Sequence, residues 1–141
     1  MKRSYFPMSI NPFNIYQNAH KDGMSQRELE ASLLTRAGLM LKGCQDSWDA
    51  PDRDQRLDAA IKFNQRIWSL FQSELSMPDN PLPKNIREDI LNLSLFLDKR
   101  LFEVLAYPDR QKLSIAININ LNLAAGLLKN NQNAHDVQKA V

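Results

Sequence analysis

Large apolar residues recur at intervals of three and four over most of this 141-residue chain, and that spacing limits its fold more than any other feature. The clearest stripes run from Leu29 to Leu41, from Leu57 to Leu75 and from Ile86 to Val104. Because side chains return to one face of an α-helix every 3.6 residues, each stripe predicts an amphipathic helix.

Capping and breaking residues set the predicted ends of these helices. Ser25 and Glu28 fit a capping box at the start of the first helix, and Gly43 is predicted to stop it. Three prolines within residues 78–83 make a stiff connector before the third helix. The predicted helices cover Ser25 to about Lys42, about Asp52 to Leu75, and about Lys84 to Leu105.

The last apolar segment is ambiguous on periodicity. Residues 117–123 alternate strictly between apolar side chains and Asn, as a half-buried strand does, but helical spacing fits the segment equally well. We predict a helix, because a single strand has no partner in an otherwise helical chain. Beyond Lys129 the chain is rich in Asn and Gln, and we expect that tail to be frayed.

These elements predict an all-α fold, a four-helix and mostly antiparallel bundle with short connectors. The predicted divisions are an irregular N-terminal segment (1–24), a single helical bundle domain (25–130) and a frayed C-terminal tail (131–141). The N-terminal segment lacks a clean period, yet Tyr5, Phe6, Phe13, Ile15 and Tyr16 make it unusually apolar for a disordered tail. It is either a tail with one anchored patch or a segment that packs on a groove or a partner.

Charge and motif content argue against several classes of function. Residues 1–56 hold eight basic and seven acidic groups and residues 57–141 hold ten and nine, so the net charge of +2 is not clustered as a nucleic-acid site requires. The single cysteine, Cys44, and two distant histidines, His20 and His135, provide no metal site, and no cofactor-binding motif occurs. No catalytic motif is present either, so we predict that the protein is not an enzyme.

The chain also lacks the signals of membrane or secreted proteins. The most apolar window, residues 113–128, is shorter than the ~20 residues that a transmembrane helix needs. The first residues contain no apolar core of the kind found in signal peptides. We therefore expect a cytoplasmic protein with no membrane partner.

The fourth predicted helix is apolar on two opposite faces. One face carries Leu113, Ile117, Leu121, Ala124 and Leu128. The other carries Ile115, Ile119, Leu123 and Leu127. A helix that is apolar all round is either central or covered by another element. The second face is thus either covered by the first helix or the N-terminal aromatics, or forms a groove for an amphipathic helix of a partner.

Four short motifs resemble, in the right order, the FlaF family of flagellar biosynthesis regulators. Residues 57–71 match its Leu-x-x-Ala-Leu-x-x-Asn-x-x-Leu-Trp pattern through Asn64 and Trp68. Residues 80–91 are similar to its Asn-x-Leu-Pro-x-x-Leu-Arg segment, and residues 120–127 to its closing Asn-containing, Gly-Leu motif. Residues 94–96 match a position where many members have Trp, and Phe96 is a departure from that pattern.

The resemblance implies a small, helical, cytoplasmic protein needed for flagellin production and export, with no catalytic residues. Its physical meaning would be a secretion chaperone that binds flagellin by a helix-in-groove contact. The expected partner-binding residues are Ile115, Ile119, Asn122, Leu123 and Leu127. The alternative is a post-transcriptional regulator of flagellin translation that acts through FlbT or flagellin mRNA. A bundle that homodimerises through the fourth helix is a third possibility.

Overall fold

Four α-helices form the described part of the chain. The computed structural model describes the backbone of residues 23–140 and the side chains of residues 23–129. Most of the predicted N-terminal segment, including its five large apolar residues, lies outside the described residues. The helices are α1 (Gln26–Asp46), α2 (Arg53–Leu75), α3 (Lys84–Ala106) and α4 (Leu113–Ala140), with a 3₁₀ turn at Arg110–Lys112 before α4. Residues 23–140 contain no strand, and the predicted all-α bundle is confirmed.

Contacts between helices define the direction of two neighbours of α1. Gln45, near the end of α1, donates to Ser114 at the start of α4, and Gly38 packs on Leu121, so α1 and α4 are antiparallel. The Ala37 carbonyl accepts from Asn64 and Gly43 lies beside Arg56, so α1 and α2 are antiparallel too. Gln72, near the end of α2, donates to Ser94 and Asp98 in α3, and α1 and α4 form the most extensive helix pair of the bundle.

The first helix extends past the residue that was predicted to stop it. The capping box at Ser25 and Glu28 is present, but Gly43 is helical and α1 continues to Asp46. Cys44 in this last turn is buried in the core, and Gln45 is bonded to Ser114 and to the Arg110 carbonyl. These contacts offset the ~1 kcal/mol that glycine costs inside a helix.

The last helix is also longer than the sequence suggested. The ambiguous segment at residues 115–123 is helical, as predicted. Residues 131–140, predicted as a frayed tail, are helical too. No Pro or Gly, the residues that disfavour a helix interior most, follows Gly126.

One hydrophobic core runs through the centre of the bundle. It combines the inner faces of α1, α2 and α4 with only the second half of α3. Its largest fully buried side chains are Trp68 and Phe63. Within the described part of the chain, no helix combines the length and the apolar character that crossing a membrane requires.

Candidate partner-binding groove

A buried polar network connects three helices at the middle of the bundle. The Trp68 indole Nε1 donates to the Asn120 side-chain oxygen at 2.9 Å, and the Asn120 amide donates to the Asn64 oxygen at 2.6 Å. Asn64 in turn donates to the backbone carbonyls of Ala37 and Ala60. All three side chains are fully buried or nearly so, so each bond satisfies a polar group that water cannot reach.

This network orients the aromatic floor of a groove. With its Nε1 held by Asn120, the Trp68 ring lies edge to face with Phe71, with ring centroids 5.7 Å apart. Trp68 is thus a core residue, and Asn64 hydrogen-bonds the neighbouring helix α1 through the Ala37 carbonyl. The face of this aromatic pair contributes to the lining of an open cavity at one end of the bundle.

We call this cavity the end groove; it has a volume of about 470 Å³. It lies where the start of α1, the end of α2, the α2–α3 connector and the middle of α4 meet. Its apolar wall consists of Leu34, Trp68, Phe71, Leu75, Leu123 and Leu127. Pockets of ~300–1,000 Å³ can enclose a drug-sized molecule, so the end groove has room for a few large side chains.

The proline-rich connector forms one rim of the end groove. The Asn80 amide donates to the Glu74 carbonyl, and the Leu82 backbone N–H donates to the Asn80 side-chain oxygen. These two bonds tie the connector back to the end of α2, where Met77, Asn80 and Leu82 line the cavity. The rim is therefore held by local hydrogen bonds as well as by the restricted backbone of its prolines.

The end groove is open because α3 covers the core along only half of its length. Leu97, Leu101 and Val104 in the second half are buried, at 1% exposure or less. Ile86 and Leu93 in the first half belong to the same stripe but are 42% and 36% exposed. Ile90, between them, is half-buried and lines the groove.

Two carboxyl groups provide the polar edge of the end groove. Glu30 of α1 and Glu74 of α2 both line it, beside Gln26 and Arg27. Burial raises the pKa of Glu30 to about 7, and the hydrogen bond and charge of the neighbouring Glu74 act in the same direction. Near neutral pH the Glu30 carboxyl can therefore carry a proton.

The structure places the five predicted partner-binding residues at different sites. Leu123 and Leu127 line the end groove. Ile119 is half-buried against the core, whereas Ile115 and Asn122 are exposed and do not line the cavity. The opposite face of α4 supplies the core through Leu113, Ala116, Ile117, Asn120 and Ala124.

Most of the groove comes from residues that the sequence did not single out as binding residues. Leu34, Phe71 and Leu75 were assigned to ordinary helix stripes or left unassigned, and the connector was treated only as a spacer. One feature of the sequence did point to a groove. The helices α3 and α4 carry more apolar residues than a single shared core can bury. That signal shows that a surface remains uncovered, but it does not say which helix ends surround it.

A second, more open depression of about 690 Å³ lies on the outer side of α1 and α4. Met24, Leu39, Met40 and Leu128 contribute its apolar surface. Its remaining lining includes polar and charged side chains, among them Glu28, Ser32, Thr35 and Arg36. Among the residues that the structure describes, its lining contains no aromatic ring.

Comparison with known families identifies the chain. The family model described as "Flagellar protein FlaF" matches residues 13–127. No curated protein and no solved structure gave a significant match. The matched range begins at Phe13 and ends at Leu127, so it includes every described residue that lines the end groove and all four helices up to the middle of α4. This chain therefore belongs to the FlaF family of flagellar proteins.

Proposed function

We propose that this flagellar protein is a cytoplasmic chaperone that binds flagellin in the end groove and thereby promotes flagellin synthesis and export. The observation that supports the proposal most directly is an apolar groove with an aromatic floor in a member of a flagellar family. A binding function without catalysis also agrees with the absence of catalytic motifs from the sequence.

The shape of the groove suits an amphipathic helix. Flagellin termini are amphipathic and assemble helically, so an unassembled subunit needs its apolar stripes shielded. An amphipathic helix presents side chains at positions i, i+3 or i+4 and i+7, which can enter a groove between helices. Leu123 and Leu127 are themselves one turn apart on α4 and would contact two successive turns of such a ligand.

The groove residues take different parts in this proposal. Leu123 and Leu127, which are only partly buried, would contact the apolar stripe of flagellin, above a buried layer formed by Leu34, Trp68 and Phe71. The remaining predicted contacts, Ile115, Ile119 and Asn122, lie outside the groove lining and stay a prediction for a longer interface along α4.

Adjacent residues of α4 provide a matched test. Leu127 lines the end groove, whereas Leu128 is 47% exposed and lines the second depression. We expect Leu127→Asp to weaken flagellin binding at least about tenfold, because a charge would enter an apolar contact. Leu128→Asp should leave binding within about twofold of wild type. Isothermal titration calorimetry with the host flagellin measures both, and circular dichroism confirms that each variant is folded.

Salt dependence separates the chaperone from its main alternative. An apolar contact should keep its affinity between low and high salt, whereas RNA binding through phosphate contacts should weaken steeply as the salt concentration rises.

Wild-type affinity of a folded Leu127→Asp variant for flagellin would contradict the groove proposal. If the protein failed to bind flagellin but bound FlbT or flagellin mRNA, it would instead be a regulator of translation.

A further inference from the structure

The outer side of α3 carries large apolar side chains that its own bundle does not cover. Phe102 and Leu95 are 69% and 63% exposed, and among the large apolar residues that the structure describes only Tyr107 is more exposed. The buried side chains of α3 lie on the other side of the helix and are Ser94, Leu97, Leu101 and Val104. Phe102 and Leu95 therefore form an apolar patch on a helix whose core-facing side is already in use.

Charged residues of both signs lie along the same side of the helix. At 3.6 residues per turn, six residues of α3 fall within a sector of about 80° around its axis. In chain order they are Lys84, Glu88, Leu91, Leu95, Lys99 and Phe102. All of them are exposed except Leu91, which is half-buried. We call these six residues the outer stripe of α3.

The order of the outer stripe is complementary to its own reverse. Glu88 and Lys99 lie at equal distances along the chain from the midpoint between residues 93 and 94. If a second copy of α3 runs antiparallel about this midpoint, Glu88 of each copy faces Lys99 of the other. Leu91 and Leu95 then meet the same two leucines of the second copy at the centre, and Lys84 lies beside the Phe102 ring.

Each of these contacts joins groups that attract one another. The pair of Glu88 and Lys99 has opposite charges, and two-fold symmetry makes the pair twice. A lysine ammonium beside an aromatic ring, as for Lys84 and Phe102, is also favourable. Within one copy, Glu88 reaches Lys84 only at 3.9 Å, and Lys99 forms no ion pair with any residue that the structure describes.

Other exposed apolar surfaces lack such a pattern. The outer side of α4 exposes Ile115 and Leu128, but residues 113–128 carry no charge that could fix the direction or register of a second copy. On α1, among the described residues, Leu39 is the single large apolar side chain that is exposed. The outer stripe of α3 combines an apolar centre with charges that select one orientation.

We propose that this protein forms a two-fold symmetric dimer in which the outer stripes of two α3 helices pack antiparallel. The contact does not depend on flagellin binding. Ile90 lines the end groove from the other side of α3, so the groove of each copy stays open in the dimer. The stripe is about 27 Å long. It buries less than the ~1,600 Å² of a standard interface, so the dissociation constant is on the order of ten micromolar.

Sedimentation velocity of the full-length protein tests the dimer without flagellin. We expect a monomer–dimer equilibrium between about 1 and 200 µM, a range that includes the expected dissociation constant. Glu88→Lys and Lys99→Glu should each weaken the dimer at least about tenfold, because two attractive pairs become two repulsive pairs. Asp89→Lys, the same change at the neighbouring exposed residue outside the stripe, should leave the dissociation constant within about twofold of wild type.

Exchange of the two charges tests the antiparallel register. A chain that carries both Glu88→Lys and Lys99→Glu again pairs opposite charges, so its dissociation constant should return to within about threefold of wild type. The two single variants, each weakly dimeric alone, should form a mixed dimer, because every charged contact between them then joins opposite signs. A local effect of either substitution on the folding of α3 would produce neither result.

Two exposed leucines test the apolar part of the contact. Leu95→Ser should weaken the dimer at least about tenfold, whereas Leu39→Ser on α1 should leave it within about twofold of wild type. Circular dichroism confirms that each variant is folded. Weakening by Leu39→Ser and not by Leu95→Ser would move the contact to α1 and overturn the proposal.

Three other results would also overturn the dimer. They are a monomer at every concentration, single charge variants that dimerise like wild type, and a charge-exchanged chain as weak as the single variants. None of these results would affect the chaperone proposal, because flagellin binding in the end groove is measured separately. Loss of flagellin binding by a protein that still dimerises would refute the chaperone function alone.

Discussion

The two halves of α3 carry the same apolar stripe but reach different environments. In the second half, Leu97, Leu101 and Val104 are buried against the rest of the bundle. In the first half, Ile86 and Leu93 remain partly exposed, and Ile90 lines the end groove. The comparison shows that helical periodicity identifies a face that can be buried, whereas the placement of neighbouring helices determines whether it is buried.

The largest expected effect comes from truncating equivalent leucines in these two halves. Leu101→Ala should lower the free energy of unfolding by about 2–5 kcal/mol, because it leaves a cavity in a closed core. Leu93→Ala, at a site that is 36% exposed, should cost less than about 1 kcal/mol. Urea unfolding measures both, and equal losses would show that the first half of α3 is covered in solution.

The next effect concerns the polar network beneath the groove. Asn120→Ala removes the acceptor of Trp68 and the donor to Asn64, and should cost about 2–3 kcal/mol because both partners stay buried. Asn122→Ala, two residues along on an exposed position, should change stability by less than about 0.5 kcal/mol. The tryptophan fluorescence of Asn120→Ala should also shift, and urea unfolding measures the stabilities. An Asn120→Ala protein as stable as wild type would contradict the structural role of the network.

A smaller effect concerns the pH dependence of folding stability, to which Glu30 at the end groove contributes. The pKa of Glu30 in the folded protein, about 7, lies above its ordinary value of 4.5, so the folded state binds the extra proton between these values. Wild-type stability should therefore fall as the pH rises from about 4.5 through 7. Glu30→Gln should be about 1–2 kcal/mol more stable than wild type at pH 8, after allowance for solvent screening.

The same variant provides its own control at low pH. At pH 4 the Glu30 carboxyl is protonated in both folded and unfolded protein for the most part, so Glu30→Gln and wild type should have similar stability. Thermal unfolding across pH 4–8 measures the difference. A stability gain that does not vary with pH would show that the proton on Glu30 is not its cause.

The smallest effect compares Gly38, which is buried between α1 and α4, with Gly126, which is exposed on α4. A Cβ added at Gly126 would meet no atom within 4 Å, so Gly126→Ala should stabilise the protein by about 0.5–1 kcal/mol through helix propensity. A Cβ at Gly38 would lie 2.9 Å from Leu121 Cδ2. Gly38→Ala should therefore show no such gain in thermal unfolding, and a gain would mean that α1 and α4 pack less closely there.

Local features of the sequence predict the fold of this protein better than they predict its groove. The stripes, the capping box at Ser25 and the proline-rich connector were local signals, and they predicted the helices and their order. The end of α1 was missed because burial of Cys44 and the hydrogen bonds of Gln45 outweigh the cost of Gly43. Of the predicted binding residues, Leu123 and Leu127 line the end groove, whereas Ile115 and Asn122 do not.

The residues that carry the family resemblance also have roles that only the structure reveals. Asn64, Trp68 and Asn120 belong to a single buried network, and Asn80 holds the connector that forms the groove rim. These motif residues shape the site from beneath and beside it. The spacing of these residues in the chain predicts the family. Their contacts explain how they support the floor and the rim of the end groove.

Residue order alone specifies the helices, their amphipathic faces and the family, because these depend on interactions within a few positions. That α3 closes the core along half of its length, and that Leu34, Phe71 and Leu127 share one cavity, follows only from how the helices pack. Burial depends on which distant segments meet. Periodicity within one helix contains no information about the position of the next.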